Sequence, residues 1–297
     1  MMSQTGKDNK NEQDQYGSTS YIIKKIFRNP SSLGGLVIII GMSIIAIISP
    51  YVAPYHPDKN FWDYSYGSPN TAHIMGTDHL GRDVFSRVLI GARASLIIGI
   101  GATLLVLLIG VPLGAIVGYY GGLVDNIIMK FTDILLTFPS IFLLIILVSV
   151  FSVKGIGAVI LSMGVLGWMS MCRVVRGQFL SLKEATYVKA ARGLGYSNKR
   201  IIFRHILPNT LSPILVMGTL RIGTAIMSAA GLSFLGLMDP SIIMWGTMVN
   251  LGLPYMSFAW WISTFPGLFI FITVLGFNLL GDGLRDVFDV KRRGLRE

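Results

Sequence analysis

Glu184-Ala185-Thr186-Tyr187-Val188-Lys189-Ala190-Ala191-Arg192-Gly193-Leu194-Gly195, running on to His205-Ile206-Leu207-Pro208-Asn209, is a charged, helix-forming island between apolar runs long enough to cross a membrane. Between Arg173 and Asn209 the chain carries eight Lys/Arg residues against a single carboxylate, Glu184. Positive charge collects on cytoplasmic loops of membrane proteins, so this island reads as a cytoplasmic loop on which a soluble partner docks.

The rest of the composition agrees. With 52% hydrophobic and 13% charged residues in 297, and a mean hydropathy of +0.63, the chain has too little polar surface to coat a soluble globule of its size. A net charge of +10 would suggest nucleic acid in a soluble protein. Here the positive residues gather at the N-terminus, in 173–209 and after Asp282, which is the pattern of topogenic charge. Cys172 is the single cysteine and cannot close an intrachain disulfide; no Cys/His cluster has metal-ligand spacing. The first apolar run follows Lys24, Lys25 and Arg28 as a signal peptide would, but its length and the lack of a small-x-small cleavage site make it a retained anchor. Residues 1–20 are polar and expected to be disordered.

Working outward, Leu33 to Ala53 spans roughly 31 Å as a helix, enough for the hydrocarbon core. Further apolar runs lie near 94–118, 131–151, 156–172, 210–235 and 263–281, giving six spans. A basic N-terminus inside puts 119–130, 173–209 and 282–297 in the cytoplasm, and 54–93, 152–155 and 236–262 outside. The charges fit: 54–88 has three Lys/Arg and four Asp, and 236–262 has no Lys/Arg, Lys154 being the exception in a short external turn. Trp245, Trp260 and Trp261 are expected at the water–lipid interface. Gly110, Gly114, Gly118 and Gly122 place a small residue at every fourth position of span two, a pattern for close helix approach; Pro112 is expected to bend that span.

Within the island, Leu182 to Arg192 suits a helix, Gly193 and Gly195 interrupt it, Ser197 caps a second helix through Phe203 to Leu207, and Pro208 is expected to end it. The product is a protruding helix-turn-helix knob. Ala190 and Ala191 are small enough for a partner to press on the helix backbone, and Gly195 permits a positive φ.

The spacing Ala190-Ala191, Gly195, Leu207-Pro208 resembles the "EAA" loop of permease subunits of ATP-binding-cassette importers. The resemblance implies that the loop forms a coupling helix seated in a cleft of a cytoplasmic ATPase, with Tyr187, Lys189, Ala190, Ala191, Arg192, Gly195, Leu207 and Pro208 as the coupling residues. Lys189 stands where the motif has Glu and His205 where it has its first Ile, so a salt bridge from that Glu is not carried over.

His73-Ile74-Met75-Gly76-Thr77-Asp78-His79-Leu80-Gly81-Arg82-Asp83-Val84-Phe85-Ser86-Arg87, with Gly91-Ala92-Arg93-Ala94-Ser95-Leu96, is similar to the dipeptide/oligopeptide/nickel branch, C-type subunit. So are Gly231-Leu232-Ser233-Phe234-Leu235-Gly236 and Asn278-Leu279-Leu280-Gly281-Asp282-Gly283-Leu284-Arg285-Asp286. Where many relatives carry a carboxylate this chain has Ala229, so no charge-based role is transferred there. The resemblance implies an all-α integral membrane protein of six transmembrane helices with type I importer permease architecture. It divides into a cytoplasmic tail 1–28, an anchor helix and external segment 29–92, an ABC transmembrane type-1 domain 93–282 containing the coupling loop 173–209, and a basic tail 283–297. It further implies a multi-pass subunit of a prokaryotic cytoplasmic membrane, both termini cytoplasmic, working with a second homologous permease, two ABC ATPases and an extracytoplasmic binding protein. Short peptides are the expected substrate, with nickel or a metal-chelator complex as the alternative. The chain has no Gly-x-x-x-x-Gly-Lys-Ser/Thr loop; ATP and Mg belong to the partner ATPases, and this chain is neither an enzyme nor a cofactor binder. No nucleic-acid partner is expected.

Several residues carry competing readings. His73, His79, Asp78 and Asp83 could ligate a metal, but they lie in a Gly-rich segment without a His-x-x-x-His pair, and Gly76, Asp78, Gly81, Arg82 and Asp83 are read as an external cap. Arg221 falls near the middle of span five, where an unpaired cation is costly and faces protein or water. Arg221 and Ser228 are the candidate pathway residues, against the alternative that Arg221 pairs with a partner's carboxylate. Arg93 and Lys130 are read as snorkelling, and Asp125 and Asp133 as helix-end residues. A secondary transporter predicts paired intramembrane carboxylates and duplicated halves, and a membrane hydrolase predicts convergent catalytic groups at bilayer depth; the sequence supplies neither.

Overall fold

The computed structural model describes residues 25–150 and 155–294, with side chains through 288. Expectations for residues 1–20, for Lys154 in the 152–155 turn and for the last three residues of the tail lie outside the described residues. Among the described residues the structure is helical, without β-strands; a single bridge joins Thr77 and Asp83. Among those residues five helices are long and apolar enough to cross a membrane, and six spans result if one sharply bent pair counts as one.

Helix α1, Pro30–Val52, starts before the apolar run because Asn29 caps it, its Oδ1 accepting from the Ser31 and Ser32 amides at 2.9 and 3.2 Å, with Pro30 pre-set for the first turn. Helix α2, Val84–Tyr120, is 37 residues, about 55 Å and thus far longer than a bilayer core of about 30 Å. It starts ten residues ahead of the apolar run because Asp83 caps it, Oδ2 accepting from the Ser86 amide at 2.7 Å. Pro112 sits inside it without interrupting it.

The expected single span 131–151 is instead two helices, α3 (Gly122–Leu136) and α4 (Ser140–Val150), at 93° to each other. Pro139 lacks an amide hydrogen and disfavours helical backbone at the residue before it, while Thr137 turns its hydroxyl back to the Ile134 carbonyl at 2.6 Å. The expected loop 119–130 is therefore largely helical. Gly122, placed in the glycine row of span two, lies beyond the end of α2; Gly121 links the two helices and Gly122 opens α3, at φ of +65° and +63°.

Helix α5, Ile156–Lys183, runs past its apolar stretch to carry Arg173 and Arg176. Helix α6, Thr186–Gly193, follows, then a short helix Asn198–Arg200, a π-helical segment Ile201–Ile206, and α7, Leu207–Phe234. Asn198 to Phe234 is one continuous rod. Pro208 does not end it: proline near a helix start occupies positions whose amides lack partners anyway, and it opens α7. Helix α8, Trp245–Gly252, and α9, Trp261–Gly294, complete the chain; α9 carries the helix well into the expected tail 283–297.

Helices α2 and α5 run parallel and meet at backbone distance. A β-carbon at Gly110 would lie 2.8 Å from Met171 Cβ, at Gly114 2.7 Å from Val175 Cβ, and at Gly118 2.6 Å from Phe179 Cβ. Each four-residue step on α2 is matched by four on α5, the close packing that small residues allow between membrane helices. Helix α1 lies antiparallel on α9, where Gly35 faces the Gly276 carbonyl and Gly283 faces Ser32.

Three apolar clusters follow the long axis. Val84, Val88, Trp245, Trp261 and Ile262 fill one end, Ile98, Leu144, Val159 and Leu232 the middle, and Phe179, Val188, Ile201 and Ile206 the other end. Two of the three tryptophans expected at the interface are instead packed inside the protein: Trp245 is 0% and Trp261 6% exposed, while Trp260 is open. The indole N–H of Trp245 donates to the Val88 carbonyl at 2.9 Å and that of Trp261 to the Thr77 carbonyl at 3.1 Å, so the first ties α8 to α2 and the second ties the 54–83 segment to α9.

Candidate functional site

At one end of the molecule stands the helix-turn-helix knob, α6 plus 198–206. Gly195 takes φ of +77° at its corner, and Ser197 caps the second helix, its hydroxyl accepting from the Arg200 amide at 3.4 Å. The inner face is apolar and sealed: Val188, Ile201 and Ile206 are fully buried, packed with Tyr119, Val175 and Phe179 of α2 and α5, and Ala191 is nearly fully buried. The Tyr119 hydroxyl donates to Asn198 Oδ1 at 2.7 Å. The Arg200 guanidinium lies 4.0 Å over the Tyr196 ring, which stacks on His205. The knob is thus welded to the spans.

Its outer face is open. Tyr187, Lys189, Ala190, Arg192, Gly195 and Pro208 are exposed, Leu207 is half-buried, and Ala191 points inward. Lys189 pairs with Glu184 at 3.1 Å, both exposed. Partial burial pushes the Tyr187 phenol above its ordinary range. Two residues that sequence reasoning passed over complete this face: Leu194, 72% exposed, and Phe203, 67% exposed. The signal was available, since each is a large apolar side chain in a basic, polar stretch.

At the opposite end, 54–83 folds as a cap over α2 and α9. Asp78 Oδ1 accepts from the Leu80 and Arg82 amides, both at 2.9 Å, and Oδ2 from Arg82 Nε at 2.7 Å. Gly76 and Gly81 close the turns; the Phe61 backbone leaves no room for a β-carbon at Gly81. Asp83 joins helix cap and cap segment, holding Ser86 through one oxygen and His73 Nδ1 at 2.9 Å through the other. His79 stacks on Tyr255, and its ionisation is held below the usual 6.5 by burial, then by Arg82 and Arg87, against the opposing pull of Asp78. Among the described residues no three His, Cys, Asp or Glu side chains gather as a metal site.

Between the two ends, Arg221 and Ser228 of α7 come together on a cavity of about 220 Å³ bounded also by α4 and α5, and share a smaller one of about 50 Å³ facing α2. Asp125 and Asp133, read from sequence as helix-end residues, are ion-pair partners: Arg176 holds Asp125 and Arg173 holds Asp133, tying α3 to α5.

The comparisons agree with this architecture. Residues 110–294 match the family model "Binding-protein-dependent transport system inner membrane component", and 19–69 match "N-terminal TM domain of oligopeptide transport permease C". The oligopeptide transport system permease protein OppC of Bacillus subtilis (strain 168) is 44% identical over 89% of this chain and 87% of its own length. The dipeptide transport system permease protein DppC of the same strain is 40% identical over 91% and 85%. The glutathione transport system permease protein GsiD of Escherichia coli O157:H7 is 43% identical over 91% and 90%. Helical spans, knob and matched length together make this chain a member of the binding-protein-dependent transport system inner membrane component family, the type I ABC permease fold.

Proposed function

We propose that the chain is one of two permease halves of an ATP-driven importer of short peptides, fed by an extracytoplasmic binding protein and driven by two cytoplasmic ATPases carrying ATP and Mg. Peptides are the proposed cargo because relatives covering most of the chain are named for oligopeptide, dipeptide and glutathione transport. These relatives lend no support to nickel.

The observation that carries the coupling role is the two-faced knob. Its inner face is locked into α2 and α5, while Tyr187, Leu194 and Phe203 stand uncovered among Lys189, Arg192 and Arg204. Uncovered apolar groups rimmed by charge fit a protein partner. Displacing such a knob moves the rod 198–234 with it, and with the rod the wall of the central cavity. The proposed sidedness puts the knob and both termini in the cytoplasm and the 54–83 cap outside, as the loop charges favour. Labelled dipeptide and nickel uptake in a deletion strain carrying this chain and its partner subunits tests the cargo: peptide uptake that requires this chain is expected, and nickel uptake alone overturns it. Accessibility labelling of Lys189→Cys from the outside tests the sidedness.

A further inference from the structure

Arg221 lies halfway along α7, about 21 Å from Leu207 and about 20 Å from Phe234 at 1.5 Å per residue. It is partly buried at the 220 Å³ cavity, and no carboxylate among the described residues pairs with it. A cation at that depth is costly unless protein or water compensates it. The surrounding helices make room for it all the same: a β-carbon at Gly167 would overlap the guanidinium Nη2, so α5 has a notch where the charge sits. Around it, Ser140 of α4, Ser170 of α5 and Ser228 of α7 line the same cavity with hydroxyls that make no hydrogen bond among the described residues. The Thr103 hydroxyl of α2, on the smaller cavity beside Arg221, is buried without a partner among the described residues.

One cation and four uncommitted hydroxyls, brought together from four helices, form a site short of an anion. Of the four hydroxyls Thr103 is the buried one, and buried polar groups are nearly always partnered; a guanidinium flanked by hydroxyls matches a carboxylate, whose two oxygens accept from such donors. The cavity is smaller than the roughly 300–1,000 Å³ that engulfs a whole small molecule; it fits an end group. We infer that Arg221, with Ser140, Ser170, Ser228 and Thr103, forms a transient station for the C-terminal carboxylate of the peptide in transit. This rests on the peptide-importer reading.

The test is import into proteoliposomes by the assembled complex with its binding protein, using one dipeptide as the free acid and as the C-terminal amide. Each variant is compared with wild type for each peptide separately, so that any preference of the binding protein cancels. Arg221→Gln is expected to lower free-acid import about tenfold, the scale of one charge-assisted hydrogen bond, and to leave amide import within about twofold; Arg221→Lys is expected to retain more free-acid import than Arg221→Gln. Equal losses for the two peptides, an unchanged free-acid rate, or failure of the Arg221→Gln chain to co-purify with the second permease overturns the station, the last pointing to a partner's carboxylate instead. A wild-type complex that imports neither peptide overturns the peptide reading itself.

Discussion

Arg176 grips Asp125 with two parallel hydrogen bonds, Nε to Oδ1 at 2.6 Å and Nη2 to Oδ2 at 2.7 Å, and this fork is what fixes α3 against α5. Asp125 is 13% exposed, whereas in the neighbouring pair Asp133 is 64% and Arg173 48% exposed. Planar bidentate pairs shielded from solvent are worth more than exposed ones. Asp125→Ala is expected to cost about 1–3 kcal/mol and Asp133→Ala less than about 1 kcal/mol. Thermal melts of the detergent-solubilised protein, completed by Arg176→Ala and the double variant, check this; equal effects at the two sites would contradict it.

The α2–α5 contact makes a second forecast. Gly114→Val forces a side chain against the Cys172 carbonyl, 2.6 Å from the new β-carbon, and overpacking of this kind costs about 1–3 kcal/mol. Gly41 in α1 has open space, so Gly41→Ala should stay within about 0.5 kcal/mol. Comparing their melting midpoints decides the matter.

Acidification should loosen the cap. The folded state holds the His79 ionisation below its ordinary value, so the unfolded cap takes up a proton first; the contribution to stability is complete above about pH 6.5 and is lost as pH falls below it. His79→Gln should flatten that part of the pH profile, as read by limited proteolysis within 54–83 between pH 5 and 8.

The knob faces separate docking from folding. Phe203→Ser and Leu194→Asp alter only uncovered side chains and should cut ATPase co-purification at least tenfold while leaving the melting point in place; about 1.4 kcal/mol suffices for tenfold. Val188→Ala, in the sealed face, should instead lower the melting point, with about 1–2 kcal/mol lost. Loss of recruitment only in Val188→Ala would move the docking surface elsewhere.

Most of the fold was legible because lipid-compatible runs betray themselves by composition: α1, α2, α5, α7 and α9 all contain a run read from the sequence. Helix ends were less legible, since capping by Asn29 and Asp83 extends helices beyond the apolar letters. The 93° corner was written in Phe138-Pro139 but hidden inside a continuous apolar stretch. Trp245 was misplaced because an indole's preference for interfaces gives way once a carbonyl, here that of Val88, is presented to it indoors. The knob and Gly195 were readable from local spacing. The notch at Gly167 was not, because it exists only where α5 crosses α7, and neither were the pairings of Tyr119 with Asn198 or Arg176 with Asp125, each between residues far apart in the chain.

The matched glycine steps of α2 and α5 also restrict how this sequence can evolve. Losing or gaining one residue between 110 and 118 would turn everything beyond it by about 100° and swing the next glycine away from Val175 or Phe179. Insertions and deletions are therefore forbidden in 110–118 and 171–179, so descendants that keep this contact should show unvarying length in those two windows.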